Sequence, residues 1–154
     1  MFLKLRRIVR LGRREEGVAA VEFALCLLPL LLILGGIIDF GLCCNMQMTI
    51  SSASRAGARY ATLYTVNASG QRLAPNNLSP TVSSYVTTNY SGLLPSNANL
   101  QATLGGSAQT STTSGAYPVT VTVTAQYYWL ILGHLVPGLT NPQTLSSAVE
   151  MSLE

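Results

Sequence analysis

Apolar residues recur along this chain in three rhythms, and each predicts a different element. The first is an unbroken run. Phe23 to Ile38 carries no charge over sixteen residues, and the wider stretch 18–44 is charged only at Glu22 and Asp39. A helix rises ~1.5 Å per residue, so about twenty residues cross a ~30 Å hydrocarbon layer and this run is long enough to do so. The second rhythm is helical: Leu42, Met46, Ile50, Ala53, Gly57, Tyr60 and Tyr64 recur at spacings of four or three and form one apolar stripe. Arg55 and Arg59 fall on another face. Together these predict one helix from about Glu15 to Tyr64, on the order of 75 Å long. Pro29 removes a backbone donor inside it and the Gly35–Gly36 pair loosens the next turn, so a kink or a locally melted stretch is expected there.

The third rhythm is alternation. Val119, Val121 and Val123 alternate with threonines in Pro118–Gln126, and Leu145, Ser147, Val149, Met151 and Leu153 alternate with Ser146, Ala148, Glu150 and Ser152. With a shorter alternating stretch at Asn99–Leu104, these predict a three-stranded antiparallel sheet whose apolar face covers the outer half of the long helix. Ser79 before Pro80 has the form of an N-cap and first helical residue, and Val82, Tyr85 and Val86 continue a short helix to about residue 90. Gly105–Gly115 reads as a connection. The predicted fold is α+β: a long N-terminal transmembrane helix packed against a small C-terminal antiparallel sheet domain. The chain divides into a basic arm (1–17), the span (18–44), its amphipathic continuation (45–66) and an outer domain (67–154).

One stretch fits no rhythm. Tyr127–Leu139, YYWLILGHLVPGL, is more apolar than a connection requires and too short for a second span. Two readings stand: a buried excursion in the core, or an interface patch touching lipid headgroups or an adjoining subunit, with Tyr127, Tyr128 and Trp129 as its aromatics.

Charge sharpens this picture. Of the 154 residues only 10% are charged, against about a quarter in ordinary globular chains. Six of the nine basic residues lie before Gly17 with two acids, net +4, leaving three cations against four acids after it, net −1. The basic arm is therefore expected in the cytoplasm, with residues after about 45 on the other side. A basic excess confined to this arm gives no reason to expect a nucleic-acid partner.

Catalytic chemistry has little to work with. Residues 73–149 contain no Asp, Glu, Lys or Arg, and His134 is their only group titrating near neutral pH. Cys26, Cys43 and Cys44 read as small hydrophobes facing the membrane, with an intermolecular bridge as the alternative. Cys43, Cys44 and His134 lack zinc-ligand spacing. No enzyme activity, cofactor, metal or small-molecule substrate is expected; the chain reads as a substrate of an enzyme.

Glu22 is the anomaly. A carboxylate four residues inside an apolar run costs roughly 2–4 kcal/mol unless it is interfacial, protonated or paired. Cutting the chain after Gly17 would supply a cation, the free amine of Val18, one helical turn from Glu22 and within reach of a neighbouring copy. The residues here, Glu15-Glu16-Gly17 followed by Val18-Ala19-Ala20-Val21-Glu22-Phe23-Ala24-Leu25 and then Pro29 with its leucines, resemble the start of the TadE-like pseudopilins. These are minor pilin subunits of the Tad (Flp) branch of type IV pili. Ser51–Ala61, SSASRAGARYA, is similar to that family's small-residue and arginine stretch, and VTVTVTAQYYW to its C-terminal strand. The resemblance is strong over 13–61, loose over 117–154 and absent between.

The resemblance implies a pilin-like fold, a bacterial inner-membrane location and cleavage between Gly17 and Val18 by a prepilin peptidase. It also implies partners among other pilins and pseudopilins, the inner-membrane assembly platform and the lipid bilayer. Glu22 and its neighbour Phe23 would take part in assembly, and Ala20 and Ala24 form a small-xxx-small pair at which helices approach closely. Two alternatives stand beside this reading. One is a structural pilin of a related type IV or type II secretion pseudopilus; the other is a single-pass anchored envelope protein with an intact leader.

Overall fold

A run rich in leucine, isoleucine and alanine can satisfy every backbone group within itself only as a helix. In the computed structural model, which describes residues 5–63, 65–107, 110, 112 and 115–153, that helix is α1, Leu5–Thr62. At ~1.5 Å per residue its 58 residues extend about 87 Å. It begins ten residues before the predicted start near Glu15, because the leucines and arginines of the basic arm are themselves good helix formers. It also runs unbroken through Pro29 and Gly35–Gly36, so the expected melted stretch does not occur. Tyr64, the last residue of the predicted stripe, lies outside the described residues.

The outer domain follows. A 3-10 turn at Pro75–Asn77 leads to α2, Val82–Tyr90, whose N-cap is Thr81: its hydroxyl accepts the Ser84 amide at 3.2 Å. The predicted cap, Ser79, sits two residues too early. A threonine oxygen within reach of the third helical amide decides the matter, and Pro80 precedes the helix rather than opening it. Strand β1 spans Gln101–Gly105 and starts two residues later than predicted, because Asn99 takes a left-handed backbone (φ 46°) that interrupts extended structure. After it Gly106 (φ 94°) turns the chain so tightly that a Cβ would lie 2.5 Å from the Pro118 carbonyl oxygen. Five of the eleven residues of the predicted 105–115 connection lie outside the described residues. Strand β2, Gly115–Tyr127, and strand β3, Gln143–Leu153, enclose the short helix α3, Leu132–Leu135.

The sheet is antiparallel in the order β1-β2-β3, with Gln101 opposite Thr124 on one side and Val121 opposite Val149 on the other. Alternation sends Val119, Val121, Val123 and Ala125 inward, where each is fully buried, and leaves the intervening threonines half-exposed on the outer face. The inner face lies on α1 at Met46, Ile50, Ala53, Ala58 and Ala61, with Val82 and Val86 of α2 closing the side. The predicted stripe therefore packs on the chain's own outer domain, and Arg55 and Arg59 stay exposed on the other face. The small residues of 51–61 are what bring the layers together. At Gly57 a Cβ would lie 2.8 Å from Val86 Cγ2 and 3.1 Å from Val121 Cγ1. Ser54, buried, shares a 3.0 Å hydrogen bond with the Ser147 hydroxyl of β3.

Two contacts tie the top of α1 to the domain. Arg72 is buried and its guanidinium donates to the Thr62 carbonyl at 3.3 Å, placing a cation at the negative end of the helix. Tyr60 stacks on Tyr85 with ring centroids 4.3 Å apart, and its hydroxyl donates to the Pro80 carbonyl at 2.7 Å. Tyr60→Phe keeps the stack and loses only the hydrogen bond, so a loss of about 1 kcal/mol is expected in chemical denaturation of the detergent-solubilised chain. A loss above ~3 kcal/mol would mean that the hydroxyl does more than this one bond.

Candidate assembly and membrane site

The sequence singled out the apolar run of α1, and the structure leaves it largely bare from Gly17 to Leu34. Over Gly17–Thr62 the helix includes an 18-residue window of mean hydropathy 2.5 with 6% of that window buried. By length and composition it is compatible with a single membrane crossing. Val18, Val21, Phe23, Leu25, Leu28, Ile33 and Ile37 all project freely, with Phe23 67% exposed. A helix apolar all round and covered by nothing in its own chain must be covered by lipid or by neighbours.

At its start, a Cβ built on Gly17 would meet nothing within 4 Å, so the backbone before Val18 is sterically open. Val18 and Glu22 are helical and exposed, four residues and hence one turn apart. Ala20 and Ala24 lie exposed one turn apart in the same way, and Phe23 adjoins Glu22. Cys26 and Cys44 are exposed and Cys43 is half-buried, all three as free thiols. The outer domain does not reach the side of the helix that carries Cys26 and Cys44, which leaves both on the face open to lipid or neighbours. His134 is exposed.

The kink residues have another use. Gly35 and Gly36 face the Tyr127–Leu139 segment: a Cβ at Gly35 would lie 2.6 Å from Ile131 Cδ1, and one at Gly36 would lie 3.7 Å from Leu132 Cδ2. The paired glycines form a notch in which two apolar side chains seat. One turn further on is a residue that sequence reasoning passed over. Asp39 is completely buried, and its carboxylate accepts three consecutive backbone amides, Leu130 at 3.1 Å and Ile131 and Leu132 at 2.9 Å. These three amides precede or open α3 and would otherwise have no helical acceptor. The bonds are charge-assisted and link positions 91 to 93 residues apart. One signal was available: a second carboxylate in an apolar run, without a cation nearby in sequence, needs donors from somewhere.

Tyr127 completes the clasp, its hydroxyl donating to the Asp39 carbonyl at 2.9 Å. Burial pushes the Tyr127 phenol up to about 12, with the Asp39 charge acting in the same direction, so it keeps its proton and remains a donor. Of the three predicted interface aromatics, Tyr127 is thus buried, Trp129 is half-buried edge-on against it at 5.0 Å, and Tyr128 is exposed. Leu130, Ile131 and Val136 of the same segment are exposed.

Comparison with known proteins gives one finding. Residues 17–59 match the model of the family described as TadE-like protein, a stretch that begins at the sterically open glycine and ends in the small-residue seam. No curated protein and no solved structure shows a significant match. The matched stretch covers nearly all of the exposed apolar helix and the turns on which the outer domain sits, and over that stretch the chain is similar to the TadE-like proteins.

Proposed function

We propose that the chain is a minor pilin, or pseudopilin, for assembly of a Tad-type (Flp) type IV pilus used in adherence, and that a prepilin peptidase cuts it between Gly17 and Val18. The observation that carries this reading is the TadE-like match over a helix that is apolar and largely uncovered from about Val18 to Leu34. In it the protein sits in the bacterial inner membrane as a single-pass subunit, basic arm in the cytoplasm and sheet domain outside. Its partners are the peptidase, other pilins and pseudopilins, and the assembly platform; it is a substrate and a structural part, not an enzyme.

The physical logic is electrostatic. The cut removes an arm of net charge +4, which otherwise anchors the chain to the cytoplasmic face, and creates an ammonium group at Val18. In a packed assembly that amine pairs with Glu22 of a neighbour in a low-dielectric core. There, losing one partner strands a charge and costs about 3–5 kcal/mol. Phe23 packs beside the pair, and Ala20 and Ala24 let the helices approach.

The test is the mass of the N-terminal peptide from membrane-fraction protein of piliated cells. A chain starting at Val18 supports the reading, whereas one starting at Met1, or beyond residue 30, overturns it. Glu22→Ala is expected to insert normally and fail to assemble, and wild-type piliation from that variant would remove the carboxylate's role.

A further inference from the structure

We infer that Tyr128–Val136 is a membrane wedge: a short re-entrant segment that enters the outer leaflet of the lipid bilayer beside the spanning helix, with Asp39 as its clasp. The inference rests on α1 crossing the membrane and adds a second lipid contact made by the outer domain.

Depth comes first. Ile131 and Leu132 seat on Gly35 and Gly36. Gly35 lies about 25 Å along the helix axis from Val18, so a ~30 Å hydrocarbon layer that begins at Val18 or later still surrounds it. The segment cannot sit in the Gly35–Gly36 notch and remain wholly in water.

The surface is suited to that depth. Leu130 is 64% exposed, Val136 42%, Ile131 40% and Tyr128 38%, and no Asp, Glu, Lys or Arg occurs anywhere in 73–149. Leu34, Ile37 and Ile38, which flank the Gly35–Gly36 notch along the helix, are exposed apolar residues as well.

Backbone accounting is the most discriminating point. Non-helical backbone enters lipid only when its polar groups are satisfied within the protein. The amides of Leu130, Ile131 and Leu132 go to the Asp39 carboxylate and that of Trp129 to Asn141 Oδ1. Those of His134 and Val136 bond the carbonyls of Ile131 and Leu132. With three consecutive amides collected by one buried carboxylate, these donors do not need water, which is the condition for entering hydrocarbon.

Trp129 is the chain's only tryptophan, so its fluorescence reports on this segment alone. The full chain is reconstituted into phosphatidylcholine vesicles, co-flotation is confirmed, and emission is measured with lipids brominated on the acyl chain near the headgroup, then with aqueous iodide. At least a twofold loss with the brominated lipid and little effect of iodide is expected. Strong iodide quenching without lipid quenching puts the segment in water and overturns the inference; quenching by neither puts it against protein and overturns it equally. Leu130→Trp in a Trp129→Phe background, with the probe at an exposed position, is expected to give the same pattern. Failure to float with the vesicles would instead overturn the spanning helix, and so is distinguishable from failure of the wedge. Asp39→Asn is expected to lower the lipid quenching while the protein still floats, and unchanged quenching would remove Asp39 as the clasp.

Discussion

Asp39→Ala is expected to release the 130–132 segment from the helix and destabilise the outer domain by roughly 3–5 kcal/mol. The substitution removes the acceptor of three amides at once. Those amides lie against apolar surface at Gly35 and Gly36, where water is a poor replacement. Asp39→Asn keeps one carbonyl oxygen, recovers at most part of the set at the strength of a neutral bond, and should fall in between. Hydrogen exchange at Leu130, Ile131 and Leu132 is the direct readout. With each ~1.4 kcal/mol worth a factor of ten, exchange in Asp39→Ala should be about two to three orders of magnitude faster than in the parent. Exchange within threefold of the parent would mean that the carboxylate does not hold the segment. The Tyr127 hydroxyl still donates to the Asp39 backbone carbonyl, and its phenol pKa should fall only part of the way as the neighbouring charge disappears, because burial is the larger cause of its elevation.

The second large effect is expected at Gly57. A leucine there needs room that does not exist, since even its Cβ would lie 2.8 Å from Val86 on one side and 3.1 Å from Val121 on the other. Both neighbours are β-branched with stiff side chains, and both are fully buried. Relief therefore requires α2 or β2 to back away from α1. Gly57→Leu should cost about 3 kcal/mol or more, read by denaturation and by protease sensitivity of the sheet domain. Gly57→Ala sets two effects against each other. Helix propensity favours alanine by about 1 kcal/mol, while crowding opposes it by about 1–3 kcal/mol, so a net loss is expected. Gly41→Ala is the control: the same helix, nothing within 4 Å of the new carbon, and no loss expected. A stabilised Gly57→Ala would show that the seam is looser than these distances imply.

The elements most legible in the sequence were those whose environment repeats along the chain. Val119, Val121 and Val123 alternate with threonines because one face of β2 meets α1 and the other meets water. Met46, Ile50 and Ala53 recur at helical spacing because one side of α1 carries the sheet. Signals from single residues were less exact. Ser79 was preferred to Thr81 as a cap because a following proline looks decisive, yet the geometry of the first turn chose the threonine. Pro29 and the paired glycines suggested a kink or a locally melted stretch; the helix is not melted there, and the glycines serve as a seat for Ile131. The Tyr127–Leu139 segment had two open readings, and the fold buries Tyr127 in the core while leaving Leu130, Ile131 and Val136 exposed.

The amino-acid order by itself determined the long apolar helix, the glycine and carboxylate at its mouth, the small-residue seam and the alternating strands, because each is written in neighbouring positions and depends only on local period and chemistry. Only the tertiary structure decided what Asp39, Gly35, Gly36 and Arg72 are for. Asp39 meets donors 91 to 93 positions away, and Arg72 reaches the end of α1 by a turn of the chain. Side chains satisfied at such distances leave no periodic trace, since their partners are set by how the sheet lies on the helix and not by what stands beside them in the chain.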